Sequence, residues 1–353
     1  MFAGAEHAAF LRGGQSLGDV ARSGRDIARQ LGAGRLVYHA WHAPRGAITR
    51  LAKGGLINLT IAKLGRMAME RAALDLSPLP EPAEEAPEIF YLTGRRFVYQ
   101  TVFCAVSLGR QAGHSFHFVA IDDGTLRDVD VALLRRILTG IRIIGSREVE
   151  GRLDTWLPAT RFPELRRRRV AYPHLRKITD VHVGGGGWKL VLDSDMLFHG
   201  RPTFILDWLG APDRPCHMLD VVDAYGYSPR LLRELAGSDL PSRLNVGICG
   251  LNSDNIDWDK LEYWCSELVA REGTHYLMEQ AIVAMLTAGQ PRAAAPERLY
   301  VVSPSRSEAE RPTAILHHYT ASSKAWYFRF AWHYAVAAFI QGTSRSALQT
   351  AEQ

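Results

Sequence analysis

The 353-residue sequence has only four cysteines, Cys104, Cys216, Cys249 and Cys265, and they form no CxxC pair or tight cluster. There is thus no sign of a disulfide framework, and a reducing, cytoplasmic compartment is expected. No 18 uncharged apolar residues run together, and the start MFAGAEHAAFLRGG lacks a basic stretch followed by a long apolar one. Neither a membrane span nor secretion is therefore expected. Acidic residues are scarce at the start of the chain. Residues 1–80 hold five Asp/Glu against eleven Lys/Arg, so the net charge of +5 belongs to that segment and the remainder is close to neutral. No internal repeat is present, and low complexity is confined to Gly184–Gly187. With 47% hydrophobic and 22% charged residues the composition is globular, and the length allows one large domain with appendages or two domains.

Proline and glutamate concentrate in one place. At 77–87, SPLPEPAEEAP leaves no apolar period to bury and reads as a linker after a basic helical segment at 1–76. Within that segment Ile57, Ile61, Leu64 and Ala68 recur at helical spacing, with Lys63, Arg66 and Glu70 opposite and glycines 54 and 55 marking the helix start. Beyond the linker EIFYLTG, SFHFVAIDDG and IRIIGS read as strands, alternating with the helical RRFVYQTVFCAVSLGRQAG and TLRDVDVALLRRILTG. A helical stretch interrupted at Pro173 then leads through four glycines into WKLVLDSDMLFHG. This βαβα order predicts an α/β fold, a largely parallel sheet with helices on both faces. After Asp195 the strands CHMLDVV, LNVGICGLN and AILHHYT are joined by longer pieces and two helices, giving the second half an α+β character. The join lies beyond the carboxyl end of a strand, where open α/β sheets bind ligands.

At that join stand Asp193 and Asp195, separated by Ser194 and preceded by the apolar Leu190-Val191-Leu192. Residues two apart in extended backbone share a face, so the two carboxylates require something positive beside them: a Lys or Arg, a proton or a divalent metal. Hard cations such as Mg²⁺ and Mn²⁺ take carboxylate oxygens and complete their shell with phosphates, which suits a diphosphate-bearing substrate. Solvated loop acids or a helix N-cap are the plainer alternatives. Acid-dehalogenase-like phosphatases also carry Asp-x-Asp after a buried strand, but on their first strand. Here about 100 residues of βα units come first, and Asp122-Asp123-Gly124 reads as a strand-ending turn.

Further landmarks follow in order. Lys177 stands sixteen positions before Asp193; Asn245-Val246-Gly247-Ile248, Glu279-Gln280 and HYTASSKAW, with His318, Tyr319, Lys324 and Trp326, come after it. On these residues the region from about Ile89 to Trp326 resembles a GT-A fold nucleotide-sugar glycosyltransferase, and most of all glycosyltransferase family 8, which includes glycogenin and bacterial galactosyl- and glucosyltransferases. The resemblance implies a Rossmann-like mixed sheet at 88–326, followed by an aromatic C-terminal helix and tail at 327–353. It implies Mn²⁺ (or Mg²⁺) held by Asp193, Asp195 and His318, and a donor, a nucleotide-diphosphate sugar with uridine as the base, contacted by Thr93, Gly94, Lys177, Ser194, Asn245, Gly247 and Lys324. It places Glu279 and Gln280 near the reacting sugar, with a glycan, lipid-linked or protein acceptor and no nucleic-acid partner. The sequence departs from the family at Ala321, where the family has glycine, and at Ala325, where it has proline. Glu279 replaces an aspartate, and Gly94-Arg95 replaces an acid that follows the first strand. Retention and inversion of configuration both stay open. A metal-dependent phosphohydrolase or nucleotidyltransferase would use the same acids without a sugar acceptor, and a sugar-nucleotide-binding scaffold would keep the fold without the chemistry.

Other pieces have plainer readings. GGGGWK, with its lysine before a strand rather than opening a helix, reads as a flexible spacer. Arg166–Arg169 reads as a solvated helix face, and of His317 and His318 only one should face a site. The C-terminal AWYFRFAWHYAVAAFI reads as packing on the core. Its six aromatics between Trp326 and Tyr334, with the basic segment, also fit a helix at an anionic membrane surface, peripheral on the inner face.

Overall fold

In the first strands apolar side chains alternate between two cores, and both sets are buried. Ile89, Tyr91, Phe118, Ala120, Leu190 and Leu192 belong to one cluster, whereas Phe90, Val119, Ile121 and Val191 belong to another. A sheet apolar on both faces must be covered on both. The computed structural model describes residues 60–335, which lie in a unit beginning at Asn58. The strands are β1 (Glu88–Thr93), β2 (His117–Asp122), β3 (Arg142–Ile144), β4 (Trp188–Leu192), β5 (Met196–Phe198), β6 (Cys216–Leu219), β7 (Leu244–Asn252), β8 (Ala293–Ala294), β9 (Tyr300–Val302) and β10 (Leu316–His318). Seven form a sheet ordered β3-β2-β1-β4-β7-β6-β8, and β5, β10 and β9 form a second, three-stranded sheet. β3, β2, β1 and β4 run parallel, and β7 is antiparallel to both of its neighbours. The fold is thus the α/β class expected, with a mixed sheet.

Register assembles the candidate site. β4 pairs with β7 so that Leu192 lies opposite Ile248, and the Asp193 amide donates to the Gly247 carbonyl at 2.9 Å. β5 starts one residue after Asp195 and pairs antiparallel with β10, with His318 opposite Met196. The Tyr319 amide then donates to the Asp195 carbonyl at 2.9 Å. Two strands distant in sequence are thereby tied to either side of the Asp193-Ser194-Asp195 turn.

Several expectations need correction. In the helix over 60–72, Leu64 is exposed, and the buried face runs instead through Met69 to Ala73 and Leu76. Gly65 sets that rotation: a Cβ there would lie 2.0 Å from the Phe328 carbonyl oxygen, so the backbones meet on the glycine face. The stretch 77–87 is packed rather than free. Leu79 is buried, its amide donates to the Ile137 carbonyl at 2.8 Å, and the Thr139 hydroxyl donates to the Leu79 carbonyl at 2.6 Å. Most of the segment 1–76, with glycines 54 and 55, and the tail beyond 335 lie outside the described residues. The four glycines form a tight turn: Gly184 and Gly187 have φ of 62° and 70°, and a Cβ on Gly185 would sit 2.2 Å from Lys189 Nζ. At the C-terminal side Tyr327, Ala331 and Trp332 are buried, which is the packing account of the aromatic helix. Among the described residues no helix is long and apolar enough to cross a membrane.

The arginine run is mostly not a solvated face either. Arg169 is buried and donates to Asp180 from Nε and Nη2 at 2.5 and 2.8 Å, and to Glu150 at 2.7 Å. Arg168 is buried beside Glu164 at 2.7 Å, Arg166 pairs with Glu150 and Asp154, and only Arg167 projects into solvent. Removing one partner of a buried pair leaves the other charge uncompensated, whereas an exposed pair contributes little. Arg169→Ala should therefore lower unfolding free energy by about 3–5 kcal/mol in urea denaturation, and Arg167→Ala by less than about 0.5 kcal/mol. Equal losses would show that the two arginines do not differ in this way.

Candidate active site

Asp193 and Asp195 leave the end of β4 with cations already beside them. Lys177 Nζ, from the helix Arg176–His182, lies 2.7 Å from Asp193 Oδ1 and 2.9 Å from Glu279 Oε1. Lys324 Nζ lies 2.9 Å from Asp195 Oδ2. His318 Nε2 sits between the two acids, 3.2 Å from Asp195 Oδ1 and 3.5 Å from Asp193 Oδ2. The groups set beside the paired acids are thus two lysine ammoniums and an imidazole. Burial alone would raise the Asp195 carboxyl, but His318 and Lys324 outweigh it and hold it well below the usual carboxylate range. Burial likewise opposes the charge on Lys177, yet Asp193 and Glu279 hold its ammonium well above the usual lysine range.

A second ring of hydrogen bonds orients these groups. Asn245 Oδ1 lies 3.2 Å from His318 Nδ1 and accepts from the Gly247 amide at 3.0 Å. Its Nδ2 donates to Asp220 Oδ2 at 2.9 Å. With Nδ1 carrying the proton toward Asn245, Nε2 is the free nitrogen facing the acids. Gly247 is required at its position, because a Cβ would lie 2.4 Å from His318 Nδ1. Ser194 reaches the other way: its hydroxyl is 2.8 Å from that of Thr101, which is 2.7 Å from that of Thr93 at the end of β1. At the next residue, Gly94, a Cβ would lie 2.0 Å from Asp123 Oδ1, so a side chain there would require the Asp123 carboxylate to move. The turn after β2 forms as expected, with Asp122 Oδ1 accepting from the amides of Gly124, Thr125 and Leu126.

Of the twelve residues singled out from the sequence, Asp193, Asp195, His318, Lys177, Lys324 and Glu279 meet directly in this cluster, Ser194, Thr93, Asn245 and Gly247 join them through hydrogen bonds, and Gly94 and Gln280 stand outside these contacts. Glu279 meets Lys177 in its buried interior, while Gln280 turns aside and donates to the Ala224 carbonyl at 3.0 Å and to Asp220 at 3.4 Å. His317 points away, as alternation requires: its ring stacks edge-on with His199 at 4.9 Å, and Nδ1 lies 3.2 Å from the Tyr319 hydroxyl. The sequence reading missed Asp220 and Thr101. Asp220 follows β6 as Asp193 follows β4, an acid just past a buried strand, and that signal could have found it. Thr101 lies inside an otherwise apolar helix and gave no such signal.

The donor set fits a divalent metal. One atom from each of Asp193, Asp195 and His318 falls within 4.8 Å of the others, and the set offers two hard oxygens with one borderline nitrogen. Lys324 on the same side adds a charge able to meet phosphate oxygens.

The chain is similar in structure to glycosyltransferases. One is the galactosyltransferase LgtC, solved in complex with donor and acceptor sugar analogues, at 16% identity and a TM-score of 0.48, over 71% of this chain and 95% of that one. Others are mouse xyloside xylosyltransferase 1 in its apo form, at 13% identity and a TM-score of 0.45 over 67% and 98%, and the glycosyltransferase GlyE of Streptococcus pneumoniae TIGR4, at 13% and 0.42 over 73% and 64%. No protein-family model and no curated protein matches the chain.

Two measurements follow from the geometry. Burial pushes the Glu279 carboxyl up to about 7, Lys177 opposing the rise and Asp193 adding to it; Asp193 lies closer to the lysine than Glu279 does and takes part of its charge. Between its ordinary 4.5 and that value the folded state holds a proton the unfolded state has released. This group's contribution is therefore most favourable at low pH and is lost as pH rises through about 7. The unfolding free energy of Glu279→Gln relative to the parent should accordingly climb between pH 4.5 and about pH 8 in denaturant titrations; a flat difference would contradict the raised carboxyl. Ala321, where the resemblance has glycine, adopts φ of 45°. An Ala321→Gly change should thus raise stability by about 0.5–1 kcal/mol rather than lower it, as thermal melts would report.

Proposed function

We propose that the chain is a metal-dependent glycosyltransferase that moves a hexose from a nucleotide-diphosphate sugar, a UDP-sugar first among them, to a glycan, lipid-linked or protein acceptor. The observation that carries this reading is the convergence of Asp193, Asp195 and His318 with Lys324 on one side and Lys177–Glu279 on the other. Asp193, Asp195 and His318 hold Mn²⁺ or Mg²⁺, which when bound neutralises charge on the diphosphate leaving group. Lys324 adds its ammonium to the same oxygens. Ser194, Thr93 and Gly94 border the nucleoside side, and Asn245 and Gly247 keep the imidazole oriented. The acceptor oxygen forms a bond to the anomeric carbon as the carbon–phosphate oxygen bond breaks, and the nucleoside diphosphate leaves with the electron pair. In an inverting reaction Glu279, with a pKa near 7, takes the acceptor proton. In a retaining one the departing diphosphate oxygen takes that proton, and Glu279 and Gln280 line the reaction centre with Lys177 beside the carboxyl.

The basic segment 1–80 supports a membrane-borne acceptor at the inner face, since lysines and arginines near anionic lipid contribute about 1 kcal/mol each. Burial of Tyr327 and Trp332 leaves the aromatic helix a smaller part in that contact.

Calorimetry with UDP decides the metal reading. Binding should strengthen on adding Mn²⁺ in the parent, and that gain should vanish in Asp193→Asn, Asp195→Asn and His318→Ala. Gly247→Ala, by crowding the imidazole, should weaken it about 10- to 100-fold. Manganese-independent binding of equal strength in all five proteins would sink the proposal. If His317→Ala rather than His318→Ala removed the gain, the metal would lie on the other face of β10.

A further inference from the structure

Glu279 opens outward past a group of rings. Its Oε1 lies 2.9 Å from Lys177 Nζ, whereas Oε2 has no hydrogen bond among the described residues and faces His174 Nδ1 at 4.0 Å. The His174 side chain is 49% exposed, and its ring centroid lies 5.3 Å from that of Tyr172, tilted by 42°, and 5.3 Å from that of Tyr276, edge-on at 77°. Tyr276 is 68% exposed, and among the described residues neither its hydroxyl nor the imidazole has a hydrogen bond. The Tyr276 phenol also lies within electrostatic reach of Lys324, so the rings border both Glu279 and the lysine that faces Asp195.

An isolated exposed aromatic is ordinary surface, but these rings are fixed from below. Pro173 restricts the backbone between Tyr172 and His174, and the Tyr172 hydroxyl donates to the Tyr276 carbonyl. His275 Nδ1 accepts from the Leu277 amide at 3.1 Å, and its ring lies against Gly226, where a Cβ would be 1.9 Å from that nitrogen. Rings held in place before a ligand arrives lose little freedom on binding it. Partial burial, and then the Lys177 ammonium, hold His174 below the usual histidine range, so its ring is neutral at neutral pH. The nearest charges, Lys177, Lys324, Glu279 and the two aspartates, are already paired with one another. A neutral ligand with one apolar face and several hydrogen-bonding groups therefore fits best. A sugar ring is such a ligand, with a face of C–H groups rimmed by hydroxyls.

We propose that Tyr276 and His174, backed by Tyr172, form the subsite for a sugar ring of the acceptor, so that the acceptor is a sugar-bearing molecule rather than a protein side chain. This rests on the function proposed above, in which Glu279 lines the reaction centre. A sugar seated on the rings turns one hydroxyl toward Glu279 Oε2, while the free Tyr276 hydroxyl and the imidazole nitrogens meet hydroxyls at its rim. The same chemistry serves a free glycan and a lipid-linked sugar.

The test is saturation-transfer NMR on the full chain, with the methyl glycosides of glucose, galactose and N-acetylglucosamine as probes, in the absence and in the presence of Mg²⁺ and UDP. Saturable transfer to ring C–H protons of at least one glycoside is expected. Its apparent affinity should fall about fivefold in Tyr276→Ala and in His174→Ala and stay within about twofold in Tyr276→Phe, which keeps the ring. Tyr276 is largely exposed, and a melt of Tyr276→Ala verifies that it is folded. No transfer to any glycoside in either condition, or equal transfer in Tyr276→Ala and the parent, overturns the subsite. So does binding of a serine-containing peptide through these rings in place of every glycoside. Calorimetry with UDP-glucose, UDP-galactose and UDP separates acceptor from donor: the affinity difference between each sugar nucleotide and UDP should be the same in Tyr276→Ala as in the parent. Its collapse in the variant would give the rings to the donor's hexose and overturn the assignment. Octyl glycosides identify the source, since tighter binding than the methyl glycosides supports a lipid-linked sugar and equal binding a free glycan. Failure of the manganese and UDP experiment would leave the glycoside result standing, because that result is also read without metal or nucleotide.

Discussion

The structure around the strand end depends on neutralising two carboxylates set two residues apart and largely removed from water. An uncompensated charge in such a place costs several kcal/mol, more than most single contacts contribute. Each neighbouring element supplies a share of the neutralisation. The helix Arg176–His182 brings Lys177 to Asp193, β10 brings His318 between the acids, and the turn after β10 brings Lys324 to Asp195. Glu279 then needs Lys177 as much as Asp193 does, so three carboxylates and three basic groups form one linked set. No member can be changed without altering the charge seen by the others.

Such close assembly is possible only where the backbone makes room. Gly247 lets the His318 ring lie against β7, and Gly94 lets the end of β1 pass the Asp123 carboxylate. Ala321 occupies a left-handed conformation that a glycine would take at lower cost, and it sits between His318 and Lys324, the two residues the turn must aim. The strain is local, and the turn holds it through Ser323, whose hydroxyl donates to the Thr320 carbonyl at 2.6 Å. Local cost is accepted there in return for placing two side chains on one pair of acids.

What was legible in the sequence follows the same physics. Strands that are apolar on every residue announce burial on both faces, and the acid after each such strand announces a site, which is how Asp193 and Asp195 could be picked out. Alternation correctly sent His317 and His318 to opposite sides. Short strands were not legible: β5, β8 and β9 have two or three residues and exist because β10 or β6 pairs with them, which no local pattern records. The arginine run misled for a related reason. Arg169 is buried because Asp180 and Glu150, eleven and nineteen residues away, arrive beside it, and composition alone cannot place those partners. The helix over 60–72 turned a different face inward because a single Gly65 allowed a backbone approach worth more than the Leu64 stripe.

The two lysines, although they pair with the same turn, differ in a way that bears on how a diphosphate would enter. The Lys177 side chain is 8% exposed and shared between two carboxylates, so drawing it away would strand both. The Lys324 side chain is 46% exposed and has one partner, Asp195, so an incoming phosphate can reach its ammonium from solvent. Under the proposed function the exchange is then asymmetric. Lys324 can exchange Asp195 for a phosphate oxygen as Asp195 turns to the cation, whereas Lys177 stays in place between Asp193 and Glu279. One lysine serves the incoming charge, and the other preserves the arrangement that receives it.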